Sequence, residues 1–185
     1  MMIHVGTIPI ETERLLLRRF TIEDVDAAFR NWMGNPEVTR FLRWPTHQNA
    51  AVTNWVLRDW ISHYDDPTFY QWAIELKSLG EPIGSISVVE QDERTGRIQV
   101  GYCIGQSWWH QGYTSEALAA VIRYLFREVG FNRIETQHDP ENPHSGGVMR
   151  KCGMQYEGTL RQAIRSNRGI TDAAVYAILA ADYKG

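Results

Sequence analysis

The segment that decides the fold is Val100–Phe126, with the sequence VGYCIGQSWWHQGYTSEALAAVIRYLF. Its first residues predict a strand, its middle is a polar turn containing Gly112, and its end has apolar residues at helical spacing. That spacing predicts a helix from about Thr114 to Val129, with Gly130 as the residue that ends it. The apolar stripe of this helix consists of Leu118, Val121, Ile122, Leu125, Phe126 and Val129.

The start of this helix is a candidate anion site. A helix N-terminus leaves about four backbone N–H groups unpaired and carries a partial positive charge. Gly112 lets the backbone approach a ligand closely, and Thr114 and Ser115 can cap the helix or add hydroxyl donors. The same residues also suit an ordinary helix start without a ligand, so the decision depends on the rest of the chain.

Strand and helix patterns alternate along the remaining sequence. Three predicted helices cover Thr21–Met33, Asn49–Tyr64 and Ser145–Gly153, and Thr21 with Asp24 is suited to cap the first of them. Predicted strands cover Arg14–Phe20, Tyr70–Leu76, Pro82–Val89, Arg97–Ile104, Asn132–His138 and Thr171–Tyr183. A strand–helix–strand crossover within mostly antiparallel strands predicts an α+β (mixed α/β) fold, with one domain over residues 1–185.

Composition excludes several classes of protein. The net charge of −3 gives no basic excess, so we expect no nucleic-acid partner. No signal-peptide pattern or long apolar run is present, so we expect no membrane partner. Two cysteines, Cys103 and Cys152, favour a reducing cytoplasmic setting over a disulfide scaffold. The histidines and cysteines lack the spacing of zinc ligands, so we expect no metal.

Four motifs resemble, in order, those of the GNAT superfamily of acetyl-CoA-dependent N-acyltransferases. They are ETERLLLRRF (Glu11–Phe20), VGYCI (Val100–Ile104), WHQGYTSEA (Trp109–Ala117) and NPHSGGVMRKCGM (Asn142–Met154). More narrowly, they resemble the ribosomal-protein N-terminal acetyltransferase (RimJ/RimL-like) group. Because the motifs span nearly the whole chain, the resemblance is far more specific than one glycine-containing turn.

The resemblance implies a seven-stranded, mostly antiparallel twisted sheet with flanking helices. A split between strands 4 and 5 would hold acetyl-CoA as cosubstrate. The resemblance also implies that Asn142 contacts the pantetheine or thiol end, and that a backbone N–H between Tyr102 and Ile104 polarises the thioester carbonyl. The pantetheine arm would pair with the backbone around Cys103 and Ile104. The implied diphosphate-binding amides are those of Gln111, Gly112, Tyr113, Thr114 and Ser115.

Several residues depart from the family pattern. Trp109 stands where the loop usually begins with Gln or Arg, and Thr114 replaces the usual Gly or Ala. Gln99 occupies a strand position where relatives often carry Glu, and an amide cannot take a proton at neutral pH. Two glycines, Gly146 and Gly147, lower helix propensity by about 1 kcal/mol each relative to Ala.

Acetyl transfer needs a neutral amine, a polarised carbonyl and a proton for the departing thiolate. Ser145 is the candidate at the thiol end, or it is simply the N-cap of its helix. Tyr102 and Tyr113 are weaker candidates for the acid. Cys103 could suggest a covalent intermediate, but we interpret it as a small buried apolar residue.

The sequence does not identify the general base. His138, at the end of a predicted strand close to the split, could act directly or through water, or it could be a hydrogen-bonded histidine without a chemical role. His110 is a second option, and a water chain could suffice for an α-amine. Asp172 and Glu75 could orient a cationic acceptor or be solvated surface charges.

The sequence predicts an acetyltransferase acting on a primary amine by direct attack, with a protein N-terminal α-amine as acceptor. The alternatives are a small-molecule amine (antibiotic, polyamine or amino acid) and a non-catalytic acyl-CoA-binding domain, and a homodimer is left open. The acceptor would be chosen by loops predicted at Asn35–Asn54 and Gly158–Thr171, with Trp44 facing the pocket.

Overall fold

A computed structural model describes residues 2–185, which form one eight-stranded sheet flanked by helices. The strand order is β1-β2-β3-β4-β5-β6-β8-β7, and every neighbouring pair is antiparallel except β5 and β6. This confirms the expected fold, because the strand beyond the expected seven is only the two-residue β1. The strands are β1 (Ile10–Glu11), β2 (Leu15–Arg18), β3 (Gln71–Leu76), β4 (Glu81–Asp92), β5 (Arg97–Ile104), β6 (Arg133–His138), β7 (Gln155–Ser166) and β8 (Gly169–Leu179).

The helices are α1 (Val25–Ala28), α2 (Pro36–Thr39), α3 (Ala50–Ser62), α4 (Tyr113–Tyr124) and α5 (Pro143–Lys151). A 3₁₀ turn precedes α1, and π-helical turns extend α1 and α4. The predicted cap of the first helix is confirmed, since the Thr21 N–H donates to the Asp24 carboxylate at 2.8 Å. Gly130 ends the π turn after α4 with φ +90°, as its sequence position predicts. Among residues 2–185, no helix has the length and apolar character needed to cross a bilayer.

Hydrophobic side chains pack on both faces of the sheet. On β3, Trp72 and Ile74 join a core with α4 and α5, whereas the intervening Ala73 joins a second core. That second core contains Trp32 and Leu57, from the helical segments before β3. Alternation along the strands therefore places α1–α3 on one face and α4–α5 on the other.

The split in the sheet lies between β5 and β6. These strands pair only at their first three positions, from Arg97 with Arg133 to Gln99 with Glu135. Beyond Gln99 and Glu135 they diverge, while β5 stays paired with β4 and β6 stays paired with β8. Because α4 connects β5 to β6, its N-terminus opens at the wide end of this split.

The prediction of a loop at Gly158–Thr171 is wrong. This segment belongs to a β-hairpin, because β7 continues to Ser166 and β8 begins at Gly169. β7 is an edge strand, largely exposed on both faces and interrupted by two register shifts against β8, so it lacks polar–apolar alternation. Asp172 consequently lies within β8, where its carboxylate accepts the Gln162 backbone N–H at 2.9 Å.

Candidate active site

The N-terminus of α4 presents backbone amides towards the wide end of the split. Gly112 occupies the N-cap position with φ +83°, and no side chain within residues 2–185 caps the helix. The first intrahelical bond runs from the Glu116 N–H to the Gly112 carbonyl at 3.1 Å. The N–H groups of Tyr113, Thr114 and Ser115 precede that bond and form the first turn. Thr114 and Ser115 therefore lie inside the helix, and the capping role considered for them is wrong.

A guanidinium from the turn between β1 and β2 contacts this helix start. Arg14 donates through Nε to Glu116 Oε2 at 2.7 Å and through Nη1 to the Gln111 carbonyl at 3.0 Å. Its guanidinium carbon also lies 4.3 Å from the centre of the Tyr113 ring. Sequence reasoning assigned Arg14 and Glu116 no role. The only signal was their presence in two of the four motifs.

The edge of β5 that faces the split has backbone groups that are not paired with β6. The Gly105 N–H donates to Ile83 of β4 at 2.8 Å, so alternation directs the backbone groups of Cys103 to β4 and those of Tyr102 and Ile104 to the split. The indole N–H of Trp109 donates a hydrogen bond to the Ile104 carbonyl at 2.9 Å. The pantetheine pairing was predicted around Cys103 and Ile104. The backbone groups that remain for it are those of Tyr102 and the Ile104 N–H, because Cys103 faces β4 and the Ile104 carbonyl is bonded to Trp109.

Helix α5 contributes the two polar residues expected at the thiol end. The Asn142 side-chain amide donates to Ser145 Oγ at 3.1 Å, and the Tyr102 hydroxyl donates to the Ser145 carbonyl at 3.1 Å. Burial raises the pKa of Tyr102 well above its ordinary value, so the phenol stays protonated. The N-cap role considered for Ser145 is wrong, because α5 begins at Pro143 with Asn142 as its N-cap.

His138 ends β6 and packs against α5. Its Nδ1 lies 2.8 Å from the Asp139 carbonyl. Because a carbonyl only accepts, Nδ1 carries the proton and Nε2 holds the lone pair in the neutral ring. A Cβ added at Gly146 would lie 2.7 Å from that Nε2, so the glycine allows the helix to approach the imidazole. The predicted position of His138 at the end of a strand is confirmed, whereas its closeness to the reacting atoms and its chemical role stay predictions.

Cys103 faces the other core, where it is partly buried. Its Sγ lies 3.4 Å from Ser85 Oγ, and burial raises the pKa of the thiol above its ordinary value. The thiol is thus neutral at pH 7 and a poor nucleophile, in agreement with its interpretation as a small apolar residue.

Two exposed histidines meet where the α4 loop approaches α5. The rings of His110 and His144 lie edge to face, with centroids 4.5 Å apart. His110 has φ +61°, a left-handed conformation uncommon outside glycine. The loop and the start of α5 are therefore in contact, and His144 was not singled out from the sequence.

The tip of the β7–β8 hairpin contacts two segments that are far apart in the sequence. Asn167 donates its N–H to the Leu42 carbonyl at 3.0 Å and its side-chain amide to the Trp44 carbonyl at 2.8 Å. Arg168 donates to the buried Asp139 carboxylate at 2.9 Å, directly after β6. The segment containing Trp44 and the turn leading to Asn142 are thereby connected through one hairpin.

Two other acidic candidates are occupied within the protein. Glu75 accepts the Arg18 Nε at 2.5 Å, and Arg18 also bonds Asp24. Asp172 supports the backbone of β7 as described above. Neither carboxylate lies among the residues that converge on the split.

Known proteins resemble this chain in sequence and in fold. Residues 14–155 match the family model described as an acetyltransferase (GNAT) domain. An uncharacterized N-acetyltransferase p20 of Bacillus licheniformis is 30% identical over 178 residues, covering 94% of this chain and 97% of that protein. The [ribosomal protein uS5]-alanine N-acetyltransferase of Escherichia coli (strain K12) is 41% identical over 59 residues, covering 32% of this chain and 30% of that protein.

The fold is also that of a solved ribosomal-protein acetyltransferase. The ribosomal L7/L12 alpha-N-protein acetyltransferase RimL, in complex with coenzyme A, superimposes with a TM-score of 0.82 at 22% identity, over 93% of this chain and 98% of that one. The chain thus belongs to the GNAT acetyltransferase family and is an acyl-CoA-dependent N-acetyltransferase.

Proposed function

We propose that the protein transfers the acetyl group of acetyl-CoA to a protein N-terminal α-amine by direct attack in a ternary complex. The observation that carries this proposal is the divergence of β5 and β6 beyond Gln99 and Glu135, beside an uncapped α4 N-terminus. The amides from Gln111 to Ser115 bind the diphosphate, and the pantetheine arm lies along Tyr102 and Ile104 in the split.

The chemical step follows from groups on both sides of the split. The amine nitrogen attacks the thioester carbonyl carbon, the C–S bond breaks, and coenzyme A leaves as a thiolate that takes up a proton. The Ser145 hydroxyl, whose oxygen already accepts from Asn142, passes its proton to the sulfur and takes a replacement proton from a solvent water. The Ile104 N–H polarises the carbonyl. His138 Nε2 accepts the amine proton, directly or through one water.

The fraction of each amine that is neutral at pH 7 favours an α-amine as the acceptor. An α-amine with a pKa of about 8 is about one-tenth neutral at pH 7, whereas a lysine amine at about 10.4 is neutral in fewer than about one molecule in a thousand. A single imidazole suits the first of these acceptors. The name of the uS5-alanine relative supports the same class.

The acceptor approaches the split from the side on which the Asn167–Arg168 hairpin tip lies. The predicted selecting segment, Asn35–Asn54, includes Trp44, whose carbonyl is bonded to that tip and whose ring lies 5.3 Å from His47. We propose that this segment and the hairpin tip together contact the acceptor chain.

A paired-peptide assay tests the proposal. The purified protein is incubated with isotopically labelled acetyl-CoA and two versions of each peptide. One version has a free N-terminus and no lysine, and the other has a blocked N-terminus and one lysine. We expect label only on the first, with one coenzyme A released per acetyl group. Label only on lysine would overturn the acceptor assignment, and coenzyme A binding without turnover on any amine would favour a non-catalytic domain.

A further inference from the structure

We propose that Arg14 is a positioning residue for the diphosphate of the acyl donor, acting through its bonds to Glu116 and Gln111. This inference rests on the proposed function, because it concerns how the same loop is held ready for the cofactor. Arg14 in the β1–β2 turn and Glu116 in α4 are in contact although they are 102 positions apart in the sequence.

Glu116 brings a negative charge into the first turn of α4, where the diphosphate is proposed to bind. A carboxylate in the first turn of a helix is normally stabilised by the unpaired amides there, so it would compete with a diphosphate for the same donors. Here the carboxylate is satisfied elsewhere: it accepts from Thr12 Oγ1 at 2.7 Å, from the Arg14 N–H at 2.9 Å and from Arg14 Nε at 2.7 Å. The amides of the first α4 turn therefore stay free for the cofactor.

The ion pair also removes a local electrostatic penalty. Burial alone would raise the pKa of Glu116, but hydrogen bonds from the Arg14 backbone, Thr12 and the Arg14 guanidinium together lower it. The side chain is thus ionised at neutral pH, and a bound diphosphate would be repelled by it. The guanidinium, 2.7 Å away, neutralises this charge where the diphosphate must bind.

The loop before α4 contains two residues with positive φ. Gly112 has φ +83° and His110 has φ +61°, and this left-handed conformation is unfavourable for a residue other than glycine, such as His110. Such conformations persist where their surroundings fix them. Between these two residues, Arg14 Nη1 binds the Gln111 carbonyl and so holds the loop in this geometry. One side chain therefore fixes the loop and neutralises Glu116.

Comparing two acyl donors separates this role from a general structural one. S-Acetylpantetheine has the same thioester as acetyl-CoA but lacks the diphosphate. For Arg14→Gln we expect kcat/KM with acetyl-CoA to fall about tenfold more than kcat/KM with S-acetylpantetheine, with a matching rise in the dissociation constant for coenzyme A. The matched control is Arg30→Gln, which removes the exposed ion pair with Glu81 and should leave the ratio of the two kcat/KM values unchanged.

Arg14→Lys keeps the test decisive if Arg14→Gln does not fold. A single ammonium can pair with Glu116 but cannot also reach the Gln111 carbonyl, so we expect a smaller loss with acetyl-CoA in the same direction. Equal losses with both donors, or unchanged binding of coenzyme A, would overturn the positioning role. Failure of the wild-type protein to bind coenzyme A in calorimetry would instead overturn the proposed function, before any variant is compared.

Discussion

The side-chain amide of Asn142 donates a 3.1 Å hydrogen bond to the hydroxyl oxygen of Ser145. This bond occupies a lone pair of the hydroxyl and leaves its proton available for another acceptor. Ser145 also lies in the first turn of α5, whose carbonyl at that position is tied to Tyr102 of β5. Asn142 therefore orients the Ser145 hydroxyl, and the Ser145 backbone is bonded to β5 on the other side of the split.

Replacing Ser145 by Ala should lower kcat by about a hundredfold, because the departing thiolate loses its proton donor. The KM for acetyl-CoA should change little, since the diphosphate contacts are untouched. Steady-state kinetics measures both. Ser62→Ala, at the exposed end of α3, is the control and should behave as wild type. An unchanged kcat in Ser145→Ala would show that the hydroxyl takes no part in the chemical step.

Replacing Gly112 by Ala should weaken coenzyme A binding as well as stability. The added Cβ would meet only Arg14 Nη2, at 3.4 Å, so the main cost is the left-handed backbone of about 1–2 kcal/mol. Relief of that cost by a backbone change would displace the amides that follow. Urea unfolding and calorimetry with coenzyme A measure the two effects.

Gly130→Ala is the matched control, because Gly130 is left-handed at the other end of the same helical segment, with φ +90°. It should lose a similar free energy of unfolding and bind coenzyme A normally. If both variants bound coenzyme A equally well, the geometry at Gly112 would not matter for the cofactor.

The two adjacent glycines of α5 should respond in opposite directions. Gly147→Ala has open space, with its nearest neighbour Arg150 Nη2 at 4.0 Å, so it should stabilise the protein by up to about 1 kcal/mol through helix propensity. Gly146→Ala would place a methyl 2.7 Å from His138 Nε2, and overpacking typically costs about 1–3 kcal/mol.

Urea unfolding of both variants, with acetyl transfer measured in parallel, checks this contrast. Gly146→Ala should also reduce turnover, because the imidazole must move. Equal stabilisation by both substitutions would mean that His138 moves aside without cost, and that its position against α5 is not constrained.

The turn and helix around Gly112 were predictable because their signals are local. The glycine, the apolar stripe of α4 and the terminal Gly130 all lie within one short stretch, where sequence spacing equals spatial spacing. The N-terminus of α5 was misplaced although its signal was also local: Pro143 favours the first helical position, which makes Asn142 the cap and moves Ser145 inside.

The long-range parts of the site could not be predicted in the same way. Arg14 and Glu116 meet only because β2 and α4 pack together, and no periodicity reports such a contact. β7 was missed because an edge strand exposed on both faces needs no alternating pattern. The hairpin tip, with Asn167 bonded to Leu42, depends on that missed strand. The segment predicted as an acceptor loop is therefore the β7–β8 hairpin.

A pH dependence of stability should come from His47, which is buried at the base of the segment containing Trp44. Its Nδ1 lies 2.8 Å from Thr53 Oγ1, and burial lowers the pKa of the imidazole below its ordinary value of 6.5. Just below pH 6.5, His47 therefore binds a proton in the unfolded chain but stays neutral in the folded protein. The stabilising contribution is complete above that pH and is lost as the pH falls.

Urea unfolding at about pH 7.5 and about pH 5.5 measures this loss, in a range above the ordinary pKa values of the carboxylates. We expect His47→Gln to reduce the difference in free energy of unfolding between the two pH values. Gln48→Ala is the control, because that exposed, non-titrating residue next to His47 should leave the difference as in wild type. If both variants kept the full difference, another group would be responsible for it, and His47 would not link the acceptor-side segment to pH.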